Sequence, residues 1–236
     1  MTVENKEKIL VIIPAYNEEG SIGKVIDEVS HQLPQADILV VNDGSTDETG
    51  SIARGKGVLI LEHPYNMGIG ATMQTGFLYA LQNGYNFAVQ VDGDGQHDPE
   101  YLSELMIPLL KGEVDLVIGS RYLGEKGHKS STPRRIGTRL LSILNSILTG
   151  SRITDPTSGF RAFNEKVIDF FSKEYPSDYP EAESLILLHK KGYTLKEIPV
   201  PMRKRQGGTS SINFLSSIYY MVKVTLSMAI GRLKEI

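Results

Sequence analysis

The residues best suited to chemistry lie in one acidic turn, Asp92-Gly93-Asp94-Gly95-Gln96. The turn follows an apolar segment, 87–91, that has the length and β-branched content of a buried strand. Two carboxylates at this spacing can converge on one divalent cation where a strand ends, and Gln96 supplies a further oxygen. Hard oxygen ligands suit Mg²⁺ or Mn²⁺ rather than zinc, so we expect Asp92, Asp94 and Gln96 to bind that metal. The alternative is a solvated acidic turn between a strand and a helix.

The elements that must position this turn alternate between strand and helix. Short apolar segments predict strands, and amphipathic segments with polar starts predict the helices between them. Such alternation implies right-handed crossovers and an α/β fold with a mostly parallel sheet and helices on both faces. The predicted strands are 8–13, 38–41, 58–61, 87–91 and 115–118, and the predicted helices are 21–33, one from about 47, 70–83 and 99–110.

Polar residues gather after these predicted strands. Asp43 and Asp47 follow the second strand, Asn66 and Gly70 follow the third, and Arg121 follows the fifth. Ligands of open α/β sheets bind beyond the carboxyl ends of the strands. Turn chemistry alone explains Asn66 well, but it explains the repeated acidic residues poorly. The pattern therefore predicts one ligand site that includes the acidic turn.

The second half of the chain is more basic and less regular. No linker or repeat separates it from the first half, so one domain is expected. A helix over 133–148 carries Arg134, Arg135 and Arg139, and a basic loop covers 203–209. Between them the sequence predicts a turn at 155–161 into a short strand, a helix at 181–191 and a strand at 193–200.

Composition narrows the class of protein. The chain has 236 residues, a formal net charge of -3 and no cysteine, which excludes disulfides and thiolate metal sites. A slightly acidic chain offers no electrostatic case for binding nucleic acid. The first eight residues are polar and charged, unlike a signal peptide, and the longest apolar stretch contains serines and Lys223. We therefore expect a cytoplasmic protein.

Five motifs in this order resemble those of inverting family-2 glycosyltransferases, and in particular the polyprenyl-phosphate hexosyltransferases. That group includes dolichol-phosphate mannose synthase and its bacterial undecaprenyl-phosphate relatives. The resemblance covers about residues 8 to 211. The motifs are P-A-Y-N-E at 14–18, V-V-N-D-G-S-T-D at 40–47, D-G-D-G-Q at 92–96, G-S-R-Y at 119–122 and D-P-T-S-G-F-R at 155–161.

The resemblance implies a GT-A fold over residues 1–211, with a Rossmann-like nucleotide half at about 8–122 and an acceptor half at about 123–211. It assigns a loop that begins at Arg205 to closing over the donor phosphates, although Ser211 stands where a lysine often follows. The residues that it assigns to binding of the nucleotide sugar are Pro14, Tyr16, Glu18, Asp43, Asn66, Gly70, Asp92 and Arg205.

The same resemblance names Asp94 and Arg121 as the catalytic residues. It also assigns Arg121, Arg134, Arg135 and Thr138 to the acceptor phosphate, with Thr138 where a serine is common. Guanidinium groups suit phosphate because they offer paired donors and never lose their charge.

Other polar residues receive weaker assignments. His97 is expected to have a structural role, and His63 to be a surface or loop residue. Asp155 lies in a family motif, but an Asx turn before Pro156 explains it almost as well. Glu181 and Glu183 stand about where many family-2 enzymes that glycosylate alcohols keep a general base.

The end of the chain predicts an amphipathic helix over 212–236, because apolar residues recur at helical spacing opposite a polar stripe. Since a lipid-linked acceptor must be met at a membrane, this helix is expected to lie in the interface or to contact a partner. The partner would be a second copy or an integral membrane protein. The protein would then be peripheral at the inner face of the cell membrane.

The function expected from the sequence is metal-dependent transfer of a hexose, with inversion, from a UDP- or GDP-linked sugar to a polyprenyl phosphate. Two alternatives remain open. One is a family-2 glycosyltransferase that acts on a hydroxyl acceptor in polysaccharide synthesis. The other is a non-catalytic subunit that binds a nucleotide sugar.

Overall fold

The computed structural model describes residues 7–124, 132–177 and 180–204, with backbone alone for 132–136. Most elements predicted from the sequence appear within a few residues of their expected bounds. The strands are β1 (Ile9–Ala15), β2 (Asp37–Asn42), β3 (Leu59–Glu62), β4 (Phe87–Gln90), β5 (Leu116–Ser120), β6 (Arg161–Asn164) and β7 (Leu195–Pro199). The α-helices are α1 (Ile22–Gln32), α2 (Thr49–Gly55), α3 (Ile69–Gln82), α4 (Leu102–Leu110), α5 (Thr132–Thr149), α6 (Glu165–Lys173) and α7 (Pro180–Lys190), and a 3₁₀ turn covers Pro99–Tyr101.

The seven strands form one sheet in the order β3-β2-β1-β4-β6-β5-β7. Strand β1 lies between β2 and β4, pairs with both in parallel and has all seven residues buried. A strand that is buried on both faces has a continuous run of apolar residues in its sequence, as β1 does. Among the strands that the structure describes, only β6 runs antiparallel to its neighbours. The predicted α/β class with a mostly parallel sheet is confirmed.

Helices cover both faces of the sheet. On one face α1 and α4 pack their apolar stripes against alternate residues of β1, including Val11 and Ile13. On the other face α3, α6 and α7 pack against Leu10, Ile12 and Phe163. The alternation follows from the period of two along a strand, which sends neighbouring side chains to opposite faces.

The placement of β6 and the helix after it differ from the sequence prediction. The sequence predicted a short strand after 155–161 but not its direction or neighbours, and it did not predict α6. Asn164 ends β6 and immediately caps α6, because its side-chain oxygen accepts the backbone N–H of Val167 at 3.1 Å. The strand turns into the helix without a loop, and the sequence analysis missed the amphipathic pattern of α6.

Helix α5 lies outside the two layers and packs on α7 through Leu141, Ala182 and Ile186. Within the described residues, no helix combines the length and hydropathy that crossing a bilayer requires. The amphipathic helix predicted at 212–236 lies outside the described residues.

Candidate functional site

Six strands end at one edge of the sheet, and the antiparallel strand β6 begins there. We call this the carboxyl edge. The residues singled out after the predicted strands all follow strands that end there. They are Tyr16 and Glu18 after β1, Asp43 after β2, Asn66 after β3, Asp92 and Asp94 after β4, and Arg121 after β5.

The acidic turn folds back on itself directly after β4. Asp94 is 6% exposed, and its Oδ1 accepts the backbone N–H of Gln96 at 2.9 Å. Gly95 has a φ of 72°, which L side chains rarely adopt, so a glycine suits this turn. The side chain of Asp92 is 37% exposed. Within the described ranges, no three His, Cys, Asp or Glu side chains are grouped to hold a metal. A cation bound by Asp92, Asp94 and Gln96 would therefore need further oxygen ligands from another bound molecule or from water.

Arg121 forms a buried, two-pronged ion pair with Asp155. Its Nε lies 2.6 Å from Oδ2 and its Nη2 lies 2.6 Å from Oδ1, while Nη2 also donates to Thr157 Oγ1 at 2.7 Å. Burial works against the charged guanidinium, but the hydrogen bonds and charge of Asp155 outweigh it and raise the pKa of Arg121 above its ordinary value. The charge of Asp92 acts in the same direction, which indicates that Asp92 lies near this pair.

The turn that carries Asp155 is itself held from β7. The carboxylate of Glu197 accepts the backbone N–H groups of Thr154 and Asp155 at 2.8 Å each. Burial raises the pKa of Glu197 above its ordinary value, although these hydrogen bonds oppose the shift. Arg121 is thus oriented by a chain of contacts through Asp155 to Glu197. An Asx turn accounts for little of this, because Asp155 is fully buried and engages Arg121 through both carboxylate oxygens.

Arg161 was not singled out within its motif, yet its side chain is fully buried beside the site. Its Nε donates to the carbonyl of Ser158 at 2.7 Å, and its Nη2 donates to the carbonyls of Pro156 and Glu181. Burial lowers the pKa of Arg161. The guanidinium therefore joins the turn after Asp155 to the first turn of α7. No local sequence signal separates this arginine from a solvated one.

His63 is a second residue that the sequence analysis undervalued. Its Nδ1 lies 2.7 Å from Asp43 Oδ1 and its Nε2 lies 3.0 Å from Thr75 Oγ1. Asp43 also accepts the backbone N–H groups of Met67 and Gly68. The carboxylate assigned to the nucleoside pocket thus orders the loop that carries Asn66.

The loops after β1 and β2 are joined to each other. The backbone N–H of Thr46 donates to Asn17 Oδ1 at 2.8 Å, and that of Asn17 donates to Ser45 Oγ at 3.0 Å. Glu18 is positioned by the same contact region, because its backbone N–H donates to Thr49 Oγ1 at 2.8 Å. Tyr16 is 45% exposed at this place.

The remaining predicted residues fall in different surroundings. Pro14 lies in β1. Gly70 packs so closely that an added Cβ would lie 2.3 Å from the carbonyl oxygen of Ser177. Thr138 is buried in α5, whereas Arg139 is exposed. The side chains of Arg134 and Arg135 lie outside the described residues, as does the whole of Arg205.

The chain leading to Arg205 is fastened to the acidic turn. Arg203 donates from its backbone N–H to the carbonyl of Gln96 at 2.9 Å. Its guanidinium pairs with Glu28 Oε2 at 2.6 Å and with Asp98 Oδ1 at 2.7 Å. The segment after β7 therefore leaves the described structure beside the predicted metal ligands.

The fold defines a class of protein. The structure is similar to glucosyl-3-phosphoglycerate synthase from Mycobacterium tuberculosis, as crystallised with Mn²⁺, UDP-glucose and phosphoglyceric acid. The TM-score is 0.76 over 98% of this chain and 81% of that chain, at 21% sequence identity. The protein has the GT-A fold of glycosyltransferases, as the sequence resemblance implied.

The family follows from sequence comparison. Residues 10–171 match the model described as glycosyl transferase family 2, and the chain belongs to this family. It is 31% identical to polyprenol monophosphomannose synthase of Mycolicibacterium smegmatis, covering 98% of this chain and 91% of the relative. It is 30% identical to UDP-N-acetylglucosamine–dolichyl-phosphate N-acetylglucosaminyltransferase of Methanococcus voltae, covering 81% and 84%. The protein is therefore an enzyme, a hexosyltransferase.

Proposed function

We propose that this enzyme transfers a hexose, with inversion, from a UDP- or GDP-linked sugar to a polyprenyl phosphate. The observation that carries the proposal is the meeting, at the carboxyl edge, of the acidic turn with the Arg121–Asp155 pair. The names of the two relatives support the acceptor class, since both contain a polyprenyl-linked phosphate. The same names differ in the sugar, so the acceptor is the shared feature.

The acidic turn fits a hard divalent cation, Mg²⁺ or Mn²⁺. All three predicted ligands offer oxygen, and Asp92 keeps part of its carboxylate exposed at the carboxyl edge. When bound, such a cation neutralises the charge that develops on the departing nucleoside diphosphate. Asp92, Asp94 and Gln96 would hold it, and Asp94 is held in turn by the backbone of Gln96.

The chain's own residues would supply the rest of the donor site. The loop after β1 carries Tyr16 and Glu18 and is hydrogen-bonded to the loop after β2, and Asp43, which contacts His63, orders the loop of Asn66. These groups lie where nucleotides bind in open α/β sheets. Arg205 would then act on the donor phosphates from the segment that Arg203 anchors.

The acceptor would be recognised by arginines rather than activated by a base. A phosphate monoester has a second pKa of about 6, so its attacking oxygen is already an anion near neutral pH. The task is to hold two anionic molecules together, which electrostatic stabilisation by Arg121, Arg134 and Arg135, with Thr138, would serve. Arg121 enters this role already oriented by Asp155.

The enzyme would work as a peripheral protein at the cytoplasmic face of the cell membrane. Helix α5 supports this, because Leu140, Ile143 and Ile147 are at least half exposed at helical spacing. Exposed Arg139 lies beside them and suits anionic lipid. The predicted helix at 212–236 would add a second contact with the membrane, with another copy of the chain or with a membrane partner.

The test is a transfer assay with purified protein, Mn²⁺ or Mg²⁺ and a panel of UDP- and GDP-linked hexoses. Undecaprenyl or dolichyl phosphate is the acceptor, and the same polyprenol without its phosphate is the matched control. The expected product is a polyprenyl monophosphate sugar of inverted anomeric configuration, seen by mass spectrometry and NMR. Transfer to the polyprenol or to a sugar hydroxyl instead would favour the hydroxyl-acceptor alternative, and donor binding without transfer would favour the non-catalytic one.

A further inference from the structure

His97 is oriented as a donor toward Asp92. Its Nδ1 accepts the backbone N–H of Asp92 at 3.0 Å, so the proton of the neutral ring lies on Nε2. The ring is 5% exposed and stacks on Phe160, with 4.9 Å between the ring centroids. Nε2 is buried, has no hydrogen-bond partner among the described residues and lies 3.5 Å from Asp92 Oδ2. Nε2 therefore lies near the carboxylate, at slightly more than hydrogen-bond distance from Oδ2.

Gln90 approaches the other oxygen of the same carboxylate. Its Nε2 donates to Asp92 Oδ1 at 3.1 Å, and the residue is 1% exposed. Its Oε1 is a second buried atom for which the described part of the chain offers no hydrogen-bond partner. A buried polar atom without a hydrogen bond destabilises the folded protein. Within the described residues, two such atoms lie on the two side chains that approach the Asp92 carboxylate.

Gly159 leaves the space that the carboxylate occupies. A Cβ added to it would lie 2.8 Å from Gln90 Nε2 and 3.0 Å from each oxygen of Asp92. Its φ is not in the left-handed region, so the backbone itself would accept an alanine. The missing side chain therefore matters for room beside Asp92 and not for the conformation of the turn.

We infer that Gln90 and His97 are positioning residues that hold the Asp92 carboxylate between two N–H groups, so that it meets the divalent cation in one orientation. The inference deepens the proposed function, since it rests on Asp92 being a metal ligand. Hydrogen bonds at active sites are often long before the ligand binds and tighten in the complex. The 3.5 Å gap between His97 Nε2 and Asp92 Oδ2 is such a contact.

Two variants each remove the N–H that approaches the Asp92 carboxylate with little change in shape, and His97→Phe also removes the Nδ1 acceptor of the Asp92 backbone N–H. Gln90→Met keeps the length of the side chain, and His97→Phe keeps a ring that can stack on Phe160. Gln74→Met is the matched control, because Gln74 is half-buried on α3 and its amide donates to the Ser172 carbonyl instead. Mn²⁺ affinity is measured by electron paramagnetic resonance with Mn²⁺ alone and with UDP or GDP. Thermal unfolding reports folding, and kcat and the apparent KM for Mn²⁺ are measured separately.

Partners that hydrogen-bond to a metal ligand typically contribute 10–100-fold to metal affinity. We expect Gln90→Met and His97→Phe each to weaken Mn²⁺ binding by at least roughly tenfold, on the basis of that range. The apparent KM for Mn²⁺ should rise equally, and saturating Mn²⁺ should restore most of kcat. A purely structural role would instead lower kcat at every Mn²⁺ concentration. Unchanged Mn²⁺ affinity in folded Gln90→Met and His97→Phe overturns the inference.

If His97→Phe fails to fold, Gln90→Met and Gly159→Ala decide the matter. Gly159→Ala should weaken Mn²⁺ binding because its methyl group would crowd Asp92, and parent-like binding by both would overturn the inference.

The proposed function can fail separately. Sugar transfer to a hydroxyl acceptor, with the expected Mn²⁺ dependences, would refute the lipid-phosphate proposal and leave the inference standing. Equal Mn²⁺ binding by the parent and Asp92→Asn would refute the inference even if transfer to lipid phosphate is observed.

Discussion

Arg121 and Asp155 form a buried ion pair, so replacing either residue alone would leave the charge of the other buried and unpaired. The pair joins the end of β5 to the turn before β6, which places it at the junction of the two predicted halves of the enzyme. It also leaves Arg121 Nη1 directed toward Met202, with its sulfur 3.9 Å away. That nitrogen makes no hydrogen bond to Asp155, and in the proposed function it would meet the acceptor phosphate.

Breaking this pair should cost much stability. Removing one partner of a buried ion pair typically costs about 3–5 kcal/mol, and we expect that loss for Asp155→Asn in urea unfolding. Arg121→Lys keeps the charge but loses the two-pronged geometry, so it should also destabilise the fold and raise the apparent KM for lipid phosphate. Arg139→Lys is the exposed control and should stay within about 0.5 kcal/mol. An unchanged KM in Arg121→Lys would show that Arg121 acts only on the fold.

Asp94→Asn should abolish metal-dependent turnover, because it removes one charged ligand from a hard-cation site. The side chain's contact with the Gln96 backbone can persist in the asparagine, so thermal unfolding should be close to that of the parent. Asp169→Asn is the control for the change of charge, since Asp169 is exposed on α6 and paired with Lys173. Full activity of the parent in EDTA would contradict the metal assignment.

The buried carboxyl group of Glu181 should make the stability of the protein depend on pH. Burial raises the pKa of this carboxyl, and the charge of Asp92 adds to the shift while Arg161 opposes it. A carboxyl group whose pKa is higher in the folded protein than in the unfolded protein contributes fully to stability at pH values below its unfolded-state pKa. That contribution is lost as the pH rises through the folded-state pKa. Glu181→Gln cannot ionise, so it should be more stable than the parent at pH 7 and equal to it below about pH 4. Urea midpoints across this range, with Glu183→Gln as control, measure the difference.

The same variant tests the mechanism. A phosphate acceptor needs no general base, so Glu181→Gln and Glu183→Gln should each keep most of the turnover. Loss of a general base typically costs 10²–10⁴-fold in rate. A fall of roughly a thousandfold in kcat for either folded variant would therefore indicate a hydroxyl acceptor.

The exposed stripe of α5 should contribute to membrane binding. Burying an aliphatic side chain fully is worth about 1.5–3 kcal/mol. Replacing Ile143 and Ile147 by serine should thus weaken binding to vesicles with anionic lipid by at least about tenfold. The control replaces Leu78 and Leu81, exposed on α3, by serine. Equal flotation of both double variants and the parent would exclude this face, and a change of oligomeric state in solution would assign it to a second copy.

The alternation of strands and helices was predictable because each element carries its own period of apolar residues. The position of β6 was not, since the pairing of Ala88 with Phe163 depends on contacts far apart in the chain. Local pattern likewise placed the acidic turn at a strand end. It did not reveal His63, whose partner Asp43 lies twenty positions earlier, or Arg161, whose partners are mostly backbone carbonyls. A side-chain role that depends on a partner far away in the chain leaves no periodic pattern in the local sequence.

The insertion of β6 between β4 and β5 also makes the middle of the sheet depend on a segment that is synthesised late. Strand β4 gains its second neighbour only from a segment about seventy residues later in the chain. Until that segment emerges, β4 is an open edge of apolar residues, and such edges invite pairing with other chains. Pairing with the antiparallel strand β6 covers the edge of β4, so we expect that edge to be open to association while residues 91–160 are being synthesised.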